Sequence, residues 1–182
     1  MKNPQKKSQK NKKQKSSPQD YITDWMVSFV EKPHPLLGGM PPCPYAQQAR
    51  LRGQVKMVWV SAAEPDSNFW THIENTNFDQ YEVLILITDR KRWTWQETYR
   101  IRCELNRSFH RDDVVILEDH PDYDEKIGEV HMSNGKYCLL FAQRKSKLNR
   151  FADILKKTTD YYKHWSKEEI DDIVTWRYQD PK

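Results

Sequence analysis

The chain contains little glycine and little cysteine, and both shortages exclude classes of functional site. Its 182 residues include five glycines, and none has the spacing of a phosphate-binding loop or of a GxGxxG dinucleotide-binding motif. The three cysteines, Cys43, Cys103 and Cys138, form no CxxC pair, which argues against a paired-cysteine zinc site. There is also no Gly-x-Ser-x-Gly elbow of a serine hydrolase. A sparse, odd set of cysteines predicts reduced thiols in a cytoplasmic protein.

Long apolar runs are missing as well. The longest, Val83 to Ile87, is far too short to cross a bilayer. A secretory signal would need an apolar segment after the positively charged N-terminal stretch, and none is present there. We therefore expect a soluble protein of the cytoplasm.

Positive charge is concentrated at the N-terminus. Residues 1–16 hold seven lysines and no acid, and because the whole chain carries +4, the remainder carries −3. This stretch has no aromatic or branched apolar residue, so we predict a disordered lysine-rich tail over 1–19 and a single domain over 20–182. Two interpretations of the tail stay open. It is either a polybasic arm that contacts nucleic acid or an anionic surface, or a solvated segment without a partner.

The middle of the chain alternates between strand and helix patterns. Apolar runs predict three strands, and helical spacing predicts two intervening helices over 66–77 and 93–109. The predicted strands are Val55 to Ser61, Tyr81 to Thr88 and Asp113 to Glu118. A β-α-β-α-β order favours parallel neighbouring strands joined by right-handed crossovers.

The dipeptide Asn134-Gly135 stands between two alternating runs, 129–133 and 136–141. This pattern predicts a β-hairpin with a two-residue turn, which would place His131 opposite Cys138. An imidazole and a thiol so placed could give an activated thiolate, or could simply lie on the wetter face of the sheet.

Helices are expected at both ends of the domain. Tyr21 to Glu31 has amphipathic spacing, a helical period covers 148–165, and Ser166 with Glu169 forms a capping box that begins a last helix. Together the elements predict an α/β or α+β fold with a mixed sheet of about five strands.

An acidic loop follows the third predicted strand. His120, Asp122, Asp124 and Glu125 come directly after a buried apolar run. Imidazole and carboxylate ligands suit a divalent metal, and we take His120, Asp122 and Asp124 as its candidate ligands. A histidine beside carboxylates also suits general base catalysis. The alternative is a solvated loop in which Pro121 turns the chain.

Cys43 lies between prolines, just before a short predicted helix over 46–52. A thiol near a helix N-terminus has its thiolate form favoured by the helix dipole, which suits a nucleophile or a metal ligand. The alternative is a small apolar side chain that packs the proline-rich loop onto the core.

Two short motifs link these places. Cys43-Pro-Tyr-Ala46 near the start and His120-Pro-Asp-Tyr123 after a later strand resemble an uncharacterised bacterial family. That family has Cys-Pro-Phe-Ala and His-Pro-Asp-Tyr motifs in the same order. The resemblance implies no activity, but it implies that Cys43 and His120 belong together.

Two hypotheses about function follow. In the first, the protein is a small enzyme in which Cys43 is the nucleophile or a ligand, His120 the base or a ligand, and Asp122 the group that orients the imidazole. In the second, it is a non-enzymatic binding protein whose lysine-rich arm contacts nucleic acid.

Overall fold

The computed structural model describes residues 16–179, which form six α-helices, six strands and several short turns of other helix types. The helices are α1 (Pro18–Trp25), α2 (Ala46–Leu51), α3 (Ser67–Glu74), α4 (Trp95–Ser108), α5 (Lys145–Thr158) and α6 (Lys167–Ile173). The strands are β1 (Val55–Trp59), β2 (Val83–Asp89), β3 (Val114–Asp119), β4 (Lys126–Ile127), β5 (Val130–His131) and β6 (Tyr137–Arg144). A π-helical turn, Met26–Val30, continues α1, and 3-10 turns include Tyr161–His164 and Thr175–Tyr178.

The main sheet has four strands in the order β1-β2-β6-β3. Strands β1 and β2 are parallel neighbours, as predicted. The prediction is wrong for β2 and β3, because β6 lies between them and runs antiparallel to both. The predicted α/β class, the β-α-β-α-β succession and the two C-terminal helices are confirmed. The mixed sheet holds four strands instead of about five, because β4 and β5 form a separate two-stranded sheet.

Strand β2 divides the core into two layers. Its side chains alternate between the two faces of the sheet, so Leu84 and Leu86 pack with α3 and α4 while Ile85 and Ile87 pack with α1. Because both faces are covered, every residue from 84 to 88 is buried. The face that carries α1 is the one on which the candidate site lies.

The predicted hairpin around Asn134 is wrong. Strand β6 pairs with β2 and β3, and β5 pairs instead with β4 across a turn at Gly128, whose φ of 58° suits glycine. His131 and Cys138 are therefore not opposite each other. Cys138 is fully buried beside the Thr98 hydroxyl, and no thiol–imidazole pair forms between these two residues.

Asn134 closes a loop onto β3 instead of turning a hairpin. Its side-chain Oδ1 accepts hydrogen bonds from the N–H groups of Lys136, at 3.1 Å, and Tyr137, at 2.8 Å. Its backbone N and side-chain Nδ2 donate to Oδ2 of Asp119, at 2.9 and 2.6 Å. Local side-chain hydrogen bonds of this kind compete with the hairpin ladder, and here they replace it.

Strand β3 is one of the two edge strands of the main sheet, and Asn106 of α4 covers part of its free edge. The amide nitrogen of Asn106 donates to the carbonyl of Ile116 at 2.8 Å, and its oxygen accepts from the N–H of the same residue at 2.9 Å. The side chain thus takes the place of a neighbouring strand, which reduces the exposure of an unpaired edge.

The folded part begins earlier than predicted. Helix α1 begins at Pro18 with a capping box between Ser17 and Asp20, inside the segment 1–19 that the sequence assigns to the tail. Residues 1–15, with all seven lysines of the predicted tail, lie outside the described residues. Within residues 16–179, no helix combines the length and apolar character needed to cross a membrane.

Asp113 fixes the start of α5, which forms a wall of the candidate site. Its φ is 57°, and its carboxylate accepts hydrogen bonds from the backbone N and the hydroxyl of Ser146. We expect Asp113→Ala to lower the free energy of unfolding by about 1.5 kcal/mol, because alanine tolerates positive φ poorly and cannot cap the helix. Asp113→Asn should cost less, and equal losses in denaturant unfolding would contradict this account.

Candidate functional site

A cavity of about 730 Å³ lies on the face of the sheet that carries α1. Ile85 and Phe141 line it from the sheet, and Trp25, Phe151 and Ile173 line it from α1, α5 and α6. Most of its surface is apolar or aromatic, and it extends past β3 to residues of α4. Small-molecule sites usually have this size and character, so the cavity is the principal candidate site.

The proline-rich segment 33–45 folds back to close one end of the cavity. The hydroxyl of Tyr161 donates a hydrogen bond to the carbonyl of Pro42. The ring of Tyr45 stacks on that of Phe151 with centroids 4.1 Å apart. The prolines prevent a regular helix or strand here, and these two contacts hold the irregular loop in place.

Cys43 lies in this loop and lines the cavity. Its backbone N–H donates to the carbonyl of Val30 at 3.0 Å. The residue retains an exposed surface, yet desolvation by the surrounding protein raises the pKa of its thiol, against the opposing effect of the N–H groups of Tyr45 and Ala46. The thiol is therefore protonated at neutral pH, and a nucleophilic role would require a base beside it.

His120 also lines the cavity, but both of its ring nitrogens are engaged. Its Nε2 donates to the carbonyl of Trp93 at 2.9 Å, and its Nδ1 accepts from the backbone N–H of Asp122 at 3.1 Å. A carbonyl can only accept and an N–H can only donate, so these contacts fit the tautomer in which Nε2 carries the proton and Nδ1 the lone pair. No lone pair of the buried ring is left for a metal or for a substrate proton.

The two aspartates of the acidic loop point to separate partners. Asp122 forms an ion pair with Arg90. Asp124 contacts Lys126 at 2.7 Å and His131 at 2.6 Å. The other oxygen of Asp122, Oδ2, lies 3.9 Å from Nδ1 of His120, but Asp124 is paired with Lys126 and His131, so the three candidate metal ligands do not converge. In the part of the chain from 16 to 179, no group of three or more histidine, cysteine, aspartate or glutamate side chains is arranged to hold a metal ion.

The structure thus brings together only part of the predicted site. Cys43 and His120 both line the large cavity, whereas Asp122 and Asp124 are not among the described residues that line it. The grouping of Cys43, His120 and Asp122 as a catalytic site stays a hypothesis.

A charged cluster at the β3 end of the cavity was not predicted. Arg102 of α4 lies between the rings of Tyr99 and Trp176, with its guanidinium carbon 4.5 and 5.0 Å from their centroids. Its Nε is 3.1 Å from a carboxylate oxygen of Glu118 in β3. The only sequence signal for this pair is that each charged residue follows apolar neighbours on an inward-facing element.

The carboxylates of this cluster titrate near neutral pH. Burial raises the pKa of Glu118 to about 7, although the charge of Arg102 opposes the shift. Burial, together with the charges of Asp119, Glu118 and Asp172, raises the pKa of Glu125 to about 8. Several acids thus share one guanidinium, and the excess negative charge favours the protonated forms of the two glutamates. Perturbed carboxylates in a cavity are typical of functional sites.

Comparisons with known proteins bring no further assignment. No protein-family model, no curated protein and no solved structure matches this chain. The resemblance to the bacterial family, the cytoplasmic location and the contact of residues 1–16 with nucleic acid therefore stay predictions.

Proposed function

We propose that this protein binds a small amphipathic organic molecule in the cavity between the sheet and its C-terminal helices. The observation that supports the proposal is a single 730 Å³ space whose apolar walls lead to the charged cluster of Arg102, Glu118 and Glu125. Clefts that hold small organic ligands commonly measure about 300–1,000 Å³, and this one falls within that range.

Aromatic rings at the charged end support the same proposal. Trp95 and Tyr123 line the cavity, are both exposed, and stand with ring centroids 5.2 Å apart. Exposed aromatic rings beside a buried polar group offer a ligand apolar contact and orientation together. The ligand would place a polar group against Glu118 and Glu125 and its apolar body along the sheet.

A catalytic version of this function is the second candidate. Glu118 and Glu125, with pKa values of about 7 and about 8, could exchange a proton with a bound molecule near neutral pH. This pair is better suited to acid–base chemistry than His120, whose ring nitrogens are both occupied. Cys43 remains the candidate nucleophile of the same cavity.

We expect a neutral fluorescent probe, phenylnaphthylamine, to bind in a saturable manner. The bound probe should also slow the alkylation of Cys43, measured in a Cys103→Ser variant so that the remaining cysteine, Cys138, is buried and unreactive. Ala152 lines the cavity, so Ala152→Phe should weaken binding by at least about tenfold by occupying the space. Ala63→Phe, which adds the same ring at an exposed position, should change nothing. Unchanged binding in Ala152→Phe, or no protection of Cys43, would refute the proposal.

A further inference from the structure

Arg177 is a buried charge in the wall of the cavity. The residue is 4% exposed and lines the cavity, and its Nε donates to the carbonyl of Val174 at 3.3 Å. No carboxylate pairs with its guanidinium among residues 16–179. The ionisable groups that face it are the hydroxyls of Tyr162 and Tyr178, which are neutral at ordinary pH.

The other buried arginines of this chain have acidic partners. Arg92 pairs with Asp66 at 2.8 Å, and Arg102 lies 3.1 Å from Glu118. Buried charges in proteins are normally paired because desolvation is costly, and desolvation lowers the pKa of Arg177 here. The carbonyl of Val174 and the hydroxyl of Tyr162 accept hydrogen bonds from Arg177, but residues 16–179 supply no anionic partner for its charge at this wall of the cavity.

A donor without an acceptor lies in the same wall of the cavity. The indole N–H of Trp165 is buried, has no hydrogen-bond partner among the described residues, and belongs to a residue that lines the same cavity. The Trp165 ring packs 5.1 Å from that of Tyr162, and Tyr162 in turn contacts Arg177. Both the indole and the guanidinium are donors only, so a group that satisfied both would be a strong acceptor.

We propose that Arg177, together with the Trp165 indole, receives the anionic group of a bound amphipathic organic acid. The inference rests on the proposed binding function and specifies the class of its ligand. An inorganic anion alone would leave the apolar walls without contact, whereas an organic acid satisfies the donors and covers the walls. A planar guanidinium is well suited to a carboxylate or a sulfonate, which can accept two parallel hydrogen bonds.

The test compares two fluorescent probes that differ by one sulfonate, anilinonaphthalene sulfonate and phenylnaphthylamine, on the full-length protein. Arg177→Gln should weaken the sulfonate probe by at least about tenfold and leave the neutral probe within about twofold. Arg177→Lys, which keeps the charge, should retain part of the affinity for the sulfonate. Arg150→Gln removes an exposed arginine of α5 and should affect neither probe.

The possible outcomes separate this inference from the function on which it rests. If both probes bind but Arg177→Gln weakens neither, or weakens both equally, the anion site is refuted and the cavity function stands. If neither probe binds the wild-type protein, the cavity function itself fails. Thermal unfolding tests whether Arg177 instead stabilises the fold. If Arg177 serves a ligand, the melting temperature of Arg177→Gln should be unchanged or higher than that of the wild type. A marked fall would show that Arg177 has a structural role and would refute the anion site.

Discussion

Asn134→Asp is expected to lower the free energy of unfolding by about 4 kcal/mol. The substitution keeps the oxygen that accepts from Lys136 and Tyr137, but it removes the amide that donates to Asp119 at 2.6 Å. It also places a second carboxylate against a buried one. Burial already raises the pKa of Asp119, although the hydrogen bonds from Asn134 act to lower it.

The pH dependence of this loss distinguishes charge repulsion from simple misfolding. Two facing carboxylates can share a proton, so the destabilisation by Asn134→Asp should shrink between about pH 8 and about pH 5. Asn134→Ala should cost about 3 kcal/mol without that recovery. Asn75→Asp makes the same chemical change at an exposed position and should cost less than about 1 kcal/mol. Denaturant unfolding at both pH values measures all three, and equal losses for Asn134→Asp and Asn75→Asp would refute the contact.

Glu125→Gln is expected to remove a pH-dependent loss of stability of about 2 kcal/mol. Glu125 has an ordinary pKa of 4.5 in the unfolded chain and about 8 in the folded protein. Between these values the folded state holds a proton that the unfolded state has released, so raising the pH destabilises the fold. The stability that the protonated Glu125 contributes is fully present below about pH 4.5 and is lost as the pH rises through about 8.

The groups that surround Glu125 define the control for this experiment. Glu118, Asp119 and Asp172 raise its pKa and Arg102 lowers it, so these positions stay unchanged in the variant. We expect wild type and Glu125→Gln to differ little in stability at about pH 5 and by about 2 kcal/mol at about pH 8.5, with the variant more stable.

Glu129→Gln alters an exposed glutamate a few residues away and should follow the wild-type curve. Parallel curves for wild type and Glu125→Gln would show that this carboxyl is solvated and would weaken the proposed proton-transfer role.

The elements that could be predicted are those with a local cause. Three such features are present in the structure: the apolar run of β2, the capping box of Ser166 and the helical period of α5. Each depends only on residues that are close together in the sequence. The Asn134-Gly135 signal is equally local, yet it misled. Its hairpin competed with a contact to Asp119, fifteen positions earlier along the chain, which no local pattern reveals.

The candidate site depends even more on distant partners. The sequence drew attention to His120, but the N–H of its buried ring donates to the carbonyl of Trp93, 27 residues away, and the backbone N–H of Asp122 occupies the ring's lone pair on Nδ1. Conversely, Glu118 looked like an ordinary strand end. It became notable only when α4 brought Arg102 beside it and burial raised its pKa to about 7.

Hydrophobic periodicity and capping residues were enough to establish an α/β domain, because amphipathic faces and helix ends are specified by neighbours along the chain. They also established that the chain lacks the glycine and cysteine motifs of several common sites. The insertion of β6 between β2 and β3, the cavity, and the clusters around Arg102 and Arg177 were decided by tertiary structure alone. Strand partners and desolvation depend on residues far apart in the chain, and desolvation is what turns ordinary carboxyl and guanidinium groups into a candidate site.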